Sequence, residues 1–551
     1  MAIITDDLRR LSAQQLIDSI ANATGTYYAG IGKSDPWLDA DDSDEDAATF
    51  EGLPAPVPSS LYERETLENL SSLSKVLTGD AYRVIPRYNL AARKYKVYDP
   101  NDASCFEQTG DIYPCYAMNS VQELFLCLRN GAVGNAATAI AMSSLNVTNL
   151  ALSNTSDGWG DSDSDPDSGP LEQMGIFNPK GVDGTGDYVW AYLGKVDTSS
   201  GFYTTSYVSI PATSTDFSGD SAGDSDTPYE TSGGLLYGFK IENGGSGYNT
   251  DPGTSKLVVT ARLADGTSIE LTSVDSDDAI TVVATAGVIT QVNYDITAII
   301  GRAAGSYYVP RVQDIVWISC RIEDEDSEAG AGAVITPLFA PIEGFGGDNL
   351  SLLPSYHVGI KAEFPNTLGN GDGWVGSTSL PYKFRQVSLI VDPELQVEGD
   401  GTQYADCLRY ITTDASISVG YGDIIWQNLS GLSSSVEEAL ENGDPVAYVD
   451  EYDAANNKIW YHQNNADNVT TPRHSAREFE TGSNVNVGDT GAAETISTQV
   501  DAEYRPYVAD TALVGGFGAY KQNGRVLFVN NSTAIERAID QTEQVRIIIQ
   551  F

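Results

Sequence analysis

Apolar and polar residues alternate at the end of the chain, in the stretch "QVRIIIQF", with Ile548 as the one apolar residue on the otherwise polar face. One face of this stretch carries Val545, Ile547, Ile549 and Phe551, and the other carries Arg546, Ile548 and Gln550. A period of two residues is typical of a half-buried strand. We expect the first face to fill a core and the strand to be paired, so that deletion of residues 547–551 gives insoluble protein.

Short β-branched and aromatic runs bounded by Gly, Asp, Asn or Pro recur through most of the sequence. Examples are "QELFLCLRN", "GDYVWAYLGKVD", "KLVVTARLADGTSIELTSV", "DIVWISCRI", "KFRQVSLIVD", "PVAYVDEYD" and "NKIWYHQ". Thirty Tyr and 53 Gly fit the same picture, because Tyr packs its ring on a sheet and Gly supplies turns. The pattern predicts a mainly β chain built of several sandwich-like or barrel-like modules.

Helical periodicity is confined to a few stretches. Residues 5–22 carry apolar side chains at helical intervals behind the start Thr5, Asp6, Asp7, and we predict a short amphipathic helix there. A second helix is predicted over about residues 64–78, where Leu67, Leu70, Leu73 and Leu77 precede Gly79.

Acidic tracts of small residues punctuate the chain and predict linkers. They cover residues 39–52, 156–170 and 216–228. The predicted organisation is an N-terminal helix and β-rich body over 1–232, an inserted β module over 233–345, body strands over 346–393, a second inserted small β module over 394–515, and C-terminal strands over 516–551 that complete the body. The first module carries a weak internal repeat, in which residues 238–252 resemble residues 287–310.

The charge is strongly negative: 31 basic against 77 acidic residues give −46. Such a field repels phosphate backbones and anionic lipid, so neither nucleic acid nor a membrane is an expected partner. The start "MAIITDDLRRLSAQQLIDSI" lacks the unbroken apolar stretch of a signal peptide, and no run reaches about 18 apolar residues. We expect the protein to be made and used in the cytoplasm, or to leave the cell by lysis.

Candidate chemistry is sparse. The five cysteines, at 105, 115, 127, 320 and 407, form no CxxC pair, which favours free buried thiols over a disulfide framework or a thiolate metal site. His357, His462 and His474 show no ligand spacing and are interpreted as surface or strand histidines. No nucleophile elbow, nucleotide fingerprint or kinase signature is present in the sequence, so no catalytic, cofactor or metal residue is assigned.

Two motifs come near to known sites. "GGSGY", from Gly244 to Tyr248, follows a strand without opening a helix, and we interpret it as a hairpin turn. The tract "DGWGDSDSDPD" has carboxylates at alternate positions but lacks the Gly at the sixth and the Glu at the twelfth position of a calcium loop, so a solvated loop is favoured over calcium binding.

Five separated stretches, taken in order, resemble the baseplate wedge protein encoded by gene eight of T-even-type contractile-tailed bacteriophages. They are "YYAGIGKSDPW" (27–37) followed by "LPAPVP", "YRVIPRYNL" (82–90) with "YKVYDP" (95–100), "GDYVWAYLGKVD" (186–197), "YKFRQVSLIVDP" (382–393) and the closing "GRVLFVNNSTAIERAIDQTEQVRIIIQF". The family protein is shorter. The excess here falls in residues 233–345 and 394–515, which resemble Gly-Ser-Gly-Tyr decorations common in phages of cyanobacteria.

The resemblance implies a non-enzymatic structural protein of the virion, located in the tail baseplate. It implies a homodimer that contacts proteins similar to the products of genes six, seven and ten. It further implies that the protein moves as a rigid body when the contractile tail is triggered.

Several residues are predicted to serve this role. The structural anchors are Trp190, Phe384, Val545, Ile547, Ile549 and Phe551. The interface candidates are Arg83, Arg87, Arg93 and Lys94, the densest basic cluster near a resemblance stretch. The alternative for that cluster is pairing with local surface carboxylates.

A competing function is a receptor-binding or adhesive β-rich tail protein that recognises host surface glycans. Trp374, Trp426 and Trp460 are the available stacking rings, although buried sheet aromatics are the simpler interpretation. A polysaccharide lyase or hydrolase on a β scaffold is a third class, which measurable depolymerase activity would reveal.

Overall fold

A computed structural model describes residues 6–22, 25–33, 37, 53–100, 114–130, 134–136, 176–177, 188–199, 201–211, 233–234, 236–250, 255–264, 266, 268–270, 280–294, 312–324, 330–353, 355–364, 382–395, 404–420, 422–463, 477–489, 491, 493–500, 504, 507–509, 520–537 and 542–551. The acidic tracts, Cys105, Trp374 and His474 lie outside these ranges.

The α-helices are α1 Asp6–Ala21, α2 Ser60–Glu68, α3 Asn349–Leu352 and α4 Val436–Asn442, and 3-10 turns cover Thr78–Asp80 and Val312–Asp314. The strands are β1 Tyr27–Gly32, β2 Leu70–Lys75, β3 Ala81–Pro86, β4 Tyr116–Met118, β5 Glu123–Arg129, β6 Gly134–Ala136, β7 Ile176–Phe177, β8 Val189–Lys195, β9 Tyr207–Ser209, β10 Leu236–Ser246, β11 Ser255–Leu263, β12 Ser268–Glu270, β13 Thr281–Thr285, β14 Val288–Asn293 and β15 Ile315–Asp324. They continue as β16 Ala331–Phe339, β17 His357–Phe364, β18 Tyr382–Val391, β19 Tyr404–Asp406, β20 Arg409–Thr413, β21 Ile424–Gln427, β22 Val446–Asp453, β23 Lys458–His462, β24 Asn484–Val487, β25 Ala493–Val500, β26 Tyr507–Ala509, β27 Tyr520–Gln522, β28 Arg525–Arg537 and β29 Glu543–Gln550. The predicted mainly β class is confirmed.

The chain divides into two compact units. Unit 1 comprises Met1–Ala13, Tyr82–His357 and Phe551, and unit 2 comprises Gln14–Ala81 and Val358–Gln550. Unit 1 contains the sheets β4-β5-β8-β7 and β10-β16, and the sheet β12-β11-β13-β14-β6 with β15 added on β11. One apolar core joins these sheets, with Leu126 of β5, Val259 of β11 and Leu338 of β16 among its residues. The predicted module 233–345 therefore shares its core with the preceding strands of the body.

Unit 2 is built around the sheet β19-β2-β1-β18-β28 and a closed barrel in the order β20-β23-β22-β21-β24-β25. The barrel lies within residues 394–515, where the sequence predicts a small barrel or sandwich, and its core includes Ile411, Ile459 and Tyr461. The C-terminal strand β29 pairs with β17. Of its predicted core face, Ile547 is 3% exposed, whereas Val545, Ile549 and Phe551 are half-buried.

The helix predicted over about residues 64–78 is wrong beyond its first turns. α2 ends at Glu68, and Leu70–Lys75 form β2, which lies between β1 and β19. Both faces of β2 are buried, so its leucines need not alternate with exposed residues. The serines of this strand have only modest helix propensity, and their small side chains fit the crowded centre of the sheet; they are Ser71, Ser72 and Ser74. The helix predicted over residues 5–22 is confirmed as α1.

The hairpin turn predicted at "GGSGY" is also wrong. β10 continues through Ser246 and pairs with β16, with Gly244 opposite Ala333 and Ser246 opposite Ala331. The glycines permit close backbone approach, because a Cβ on Gly244 would lie 2.4 Å from the carbonyl oxygen of Ile289. The motif is thus the glycine-rich end of a paired strand.

Candidate interaction surface

A groove of about 460 Å³ in unit 2 separates a proline-rich segment from strand β28. One wall is formed by residues 56–60, Tyr62 and Glu63, and the other by Val526, Leu527, Phe528 and Val529. Two apolar side chains project from its walls into solvent, since Val57 is 57% exposed and Leu527 is 45% exposed. Exposed apolar side chains at a concave surface are typical of a protein interaction site.

The local sequence explains the conformation of both walls of the groove. Pro54, Pro56 and Pro58 fix the backbone in an extended form and donate no backbone hydrogen bond, so this segment cannot join the sheet as a regular strand. In β28, Val526 lies opposite Ile390 and Phe528 opposite Leu389, which leaves Leu527 as the extra residue of a β-bulge. A bulge turns its residue out of the regular alternation and explains why this leucine faces solvent.

A buried polar cluster holds the two walls together. The Asn531 side-chain Nδ2 donates to the Pro54 carbonyl oxygen at 2.6 Å, and the Tyr62 hydroxyl donates to Asn531 Oδ1 at 3.0 Å. Gln386 Nε2 of the neighbouring strand β18 donates to the same Oδ1 at 3.0 Å. Burial raises the pKa of Tyr62 above its ordinary value, although the hydrogen bonds to Asn531 and Gln386 oppose the shift. The hydroxyl therefore stays a neutral donor at physiological pH.

The outer edge of β28 is partly satisfied by side chains. Within the described ranges β28 pairs with β18 alone, so its other edge presents backbone groups outward. The Val526 N–H donates to the Glu63 carboxylate at 3.0 Å, and the Ser532 carbonyl accepts from the Trp37 indole N–H at 2.9 Å. Between these two contacts, the edge borders the groove. The arrangement suits an extended apolar segment that adds to the edge.

Two of the predicted interface arginines make intramolecular contacts in unit 1. Arg83 donates to the carbonyl oxygens of Arg10 and Ser355, and burial together with the nearby Arg10 charge lowers its pKa. Arg87 Nε donates to Asn89 Oδ1 at 2.9 Å, and its guanidinium lies 4.7 Å from the centre of the Tyr203 ring. These arginines position loops of their own unit.

The other two candidates lie in the loop after β3. The Arg93 guanidinium lies 5.3 Å from the Tyr88 ring centre and 5.4 Å from the Tyr95 ring centre, and it donates to the Asn89 carbonyl oxygen at 3.3 Å. Lys94 is half-buried. Cation–π contacts of this kind contribute roughly 0.5–1 kcal/mol each at exposed sites, so they help to hold the Arg93 guanidinium against these rings.

The remaining predicted residues lie as follows. Trp190 and Phe384 are fully buried, in β8 and β18. Trp426 and Trp460 are each 4% exposed, so neither offers a ring face to solvent. Sequence reasoning missed Val57 and Leu527; the signal was the alternation of apolar residues with proline in "LPAPVP" and the run "VLFV".

Both described histidines are buried strand residues. His357 packs between the rings of Tyr356 and Tyr207, at 4.7 Å and 5.3 Å between centroids, and burial lowers its pKa to about 4. His462 Nδ1 lies 3.0 Å from an Asp450 carboxylate oxygen inside the barrel region. A buried carboxylate–imidazole pair of this kind orients the ring.

Among the described residues, Cys115 and Cys127 are buried thiols, and Cys320 and Cys407 are half-buried thiols. In the part of the chain that the structure describes, no group of three or more His, Cys, Asp or Glu side chains is placed to hold a metal ion. None of the described helices is both long enough and apolar enough to cross a membrane.

Comparison with models of known protein families and with curated proteins gives no match for this chain.

Proposed function

We propose that this protein is a structural component of a contractile-tail baseplate wedge, which joins neighbouring wedge proteins and moves as a rigid body when the tail is triggered. The proposal rests on the sequence resemblance together with one structural observation. The stretches that carry the resemblance, although far apart in sequence, pack against one another within each unit.

In unit 2 the resemblance stretches form neighbouring strands. β1, β18 and β28 belong to three of them, and β18 pairs with both of the others. The Trp37 indole at the end of the first stretch donates to Ser532 of the last, and Pro54 of "LPAPVP" accepts from Asn531. Residues shared with a family are expected to meet in space when they specify a common core and its surface features.

In unit 1 the second and third stretches share an aromatic cluster. The Tyr95 and Trp190 ring centres are 5.0 Å apart at 78°, and Tyr188 stacks on Trp190 at 5.8 Å. All three rings are fully buried. Close-packed aromatic clusters deform little, and a unit that transmits movement through its surfaces requires such rigidity.

The groove beside β28 is the surface that we assign to wedge assembly. Its occupant in this proposal is an extended apolar segment of a neighbouring wedge protein, which is similar to a product of gene six, seven or ten or is a second copy of this chain. Ladder hydrogen bonds to the β28 edge would supply affinity, and side chains seated against Val57 and Leu527 would supply specificity.

The test is reconstitution of wedges from this protein and its tail partners, with Leu527→Glu as the variant. A carboxylate at the centre of an apolar contact is expected to weaken assembly by at least about tenfold. Leu432→Glu is the matched control, because Leu432 is 73% exposed and lies in the same unit but away from the groove.

Assembly that is unchanged by Leu527→Glu, with a folded variant, would remove the groove from the interface. The wider proposal has a separate test. Localisation of this chain in purified tails should place it within the baseplate in a fixed multiple of six copies. A position at fibre tips, with tails that assemble without it, would instead identify an adhesive protein.

A further inference from the structure

The outer face of strands β12, β11 and β15 in unit 1 carries an exposed indole beside cationic and hydroxyl side chains. Trp317 of β15 is 54% exposed and lies opposite Arg262 of β11 in the antiparallel register. Arg262 in turn lies opposite Ser268 of β12. Directly opposed residues of antiparallel strands project from the same face, with Cβ atoms about 5 Å apart.

The same face continues along β15. Ser319 lies opposite Thr260, and Arg321 lies opposite Val258. The intervening residues Ile318, Cys320 and Ile322 pack against the apolar core of unit 1. This alternation directs Trp317, Ser319 and Arg321 away from the core, and it could have been recognised in the sequence "WISCRI". Val258 itself is buried, so the accessible face runs from Trp317 to Ser319 and Arg321.

This face carries three basic residues, Arg262, Arg321 and Lys256, against two acidic residues, Glu323 opposite Lys256 and Glu270 opposite Thr260, and it is thus net basic in a chain whose net charge is −46. Arg262 and Arg321 contribute two guanidinium groups, and Lys256 follows on the same face of β11. Arg321 forms an ion pair with Glu323 at 2.8 Å, in which both side chains are 55% exposed. An ion pair this exposed contributes little stability, so the guanidinium can exchange Glu323 for a ligand anion. The complementary occupant is therefore anionic.

We propose that this face binds a linear acidic polysaccharide that contains uronate sugars. The indole presents a flat apolar surface on which one face of a sugar ring can stack. The hydroxyls of Ser268, Thr260 and Ser319 can hydrogen-bond sugar hydroxyls. Arg262 and Arg321 can each pair with a carboxylate through two N–H donors.

The spacing suits an extended chain. Trp317 and Arg321 are four residues apart on one strand, which corresponds to about 13 Å. A linear polymer that follows β15 would cover the indole, reach Arg262 beside it and meet Arg321 further along. An acidic peptide could pair with the two arginines, but it would offer no sugar ring to stack on the indole and no sugar hydroxyls to hydrogen-bond the row of hydroxyl side chains. The saccharide is thus the occupant that can contact the indole, the hydroxyls and the two guanidinium groups together.

The experiment is calorimetric titration of the full chain with two uronate polymers, oligogalacturonate and hyaluronan oligosaccharides. Neutral maltooligosaccharides and poly-glutamate serve as comparison probes. Binding of at least one uronate polymer is expected, with an affinity that falls as salt is raised. Trp317→Ala and Arg262→Gln are each expected to weaken that binding by about tenfold. Arg525→Gln, an exposed arginine of unit 2, is the matched control.

Four outcomes would overturn the proposal. They are no binding of either uronate polymer, poly-glutamate binding as tight as uronate binding, maltooligosaccharide binding as tight as uronate binding, and full affinity in a folded Trp317→Ala variant. Circular dichroism of each variant establishes folding. Because the titration requires no wedge partner, its result is independent of the baseplate proposal.

Discussion

Gly32 is the position at which a single added methyl group should damage the central sheet of unit 2. It ends β1, where the register with β2 shifts between Ile31 and Gly32. A Cβ at this position would lie 2.1 Å from the Asn69 carbonyl oxygen and 2.8 Å from the Leu70 Cα atom. Both neighbours are backbone atoms, so no side-chain rotation can relieve the overlap.

The size of the effect follows from these distances. Ordinary contact with a Cβ begins at 3.4 Å, so the Asn69 backbone must move by 3.4 − 2.1 = 1.3 Å in Gly32→Ala. The same carbonyl accepts a hydrogen bond from the Lys33 N–H at 2.8 Å, which such a movement would break. Overpacking costs about 1–3 kcal/mol and a lost hydrogen bond about 1 kcal/mol, so we expect the free energy of unfolding to fall by about 3 kcal/mol.

The measurement is guanidinium chloride denaturation followed by circular dichroism. A loss of this size is a large part of a typical stability of about 5–15 kcal/mol and should lower the transition midpoint clearly. Gly79→Ala is the control, because a Cβ there meets nothing within 4 Å. If Gly32→Ala and Gly79→Ala unfold at the same midpoint, the close approach of β1 to β2 is not as described.

Three further predictions concern other parts of the chain. His357→Phe should remove a pH dependence of stability. The pKa of His357 is about 4 in the folded protein against 6.5 in the unfolded chain, so the free energy of unfolding of the wild type falls by up to about 3 kcal/mol between pH 6.5 and pH 4. The difference in stability between wild type and variant, measured at pH 7 and at pH 4, should change by that amount. Deletion of residues 547–551 removes the buried Ile547 and part of the β29 pairing, so the product should be insoluble; a soluble truncated chain in a sedimentation assay would contradict this. Asn531→Leu should cost about 1–3 kcal/mol because it leaves buried partners unsatisfied, whereas Asn530→Leu, at an exposed neighbouring position, should change the unfolding midpoint little.

Local patterns in the sequence predicted much of the secondary structure. The helix α1 followed from helical periodicity, and strands such as β5, β8 and β18 followed from short β-branched and aromatic runs. The prediction failed at β2, because a strand buried on both faces shows no alternation and its leucine spacing matched a helix. It failed again at "GGSGY", where glycines serve a close approach of strands and not a turn.

Surface features were harder to predict. The alternation in β15 indicated that Trp317 lies on the opposite face from Ile318 and Ile322. Which of the two faces is covered depended on the packing of Ile318 and Ile322 against distant strands. The groove beside β28 required Pro54 and Asn531, nearly 500 residues apart, to meet. Neither of these long-range contacts can be predicted from a short stretch of the sequence.

The sequence by itself determined that this chain is mainly β and strongly acidic, because periodicity and composition are local properties. Only the tertiary structure decided which strands are neighbours, which side of each sheet is buried and which apolar residues remain at the surface. The physical reason is that burial is a relation between segments distant in sequence: a strand's alternation shows that it has two faces, but only its partners decide which of them meets water.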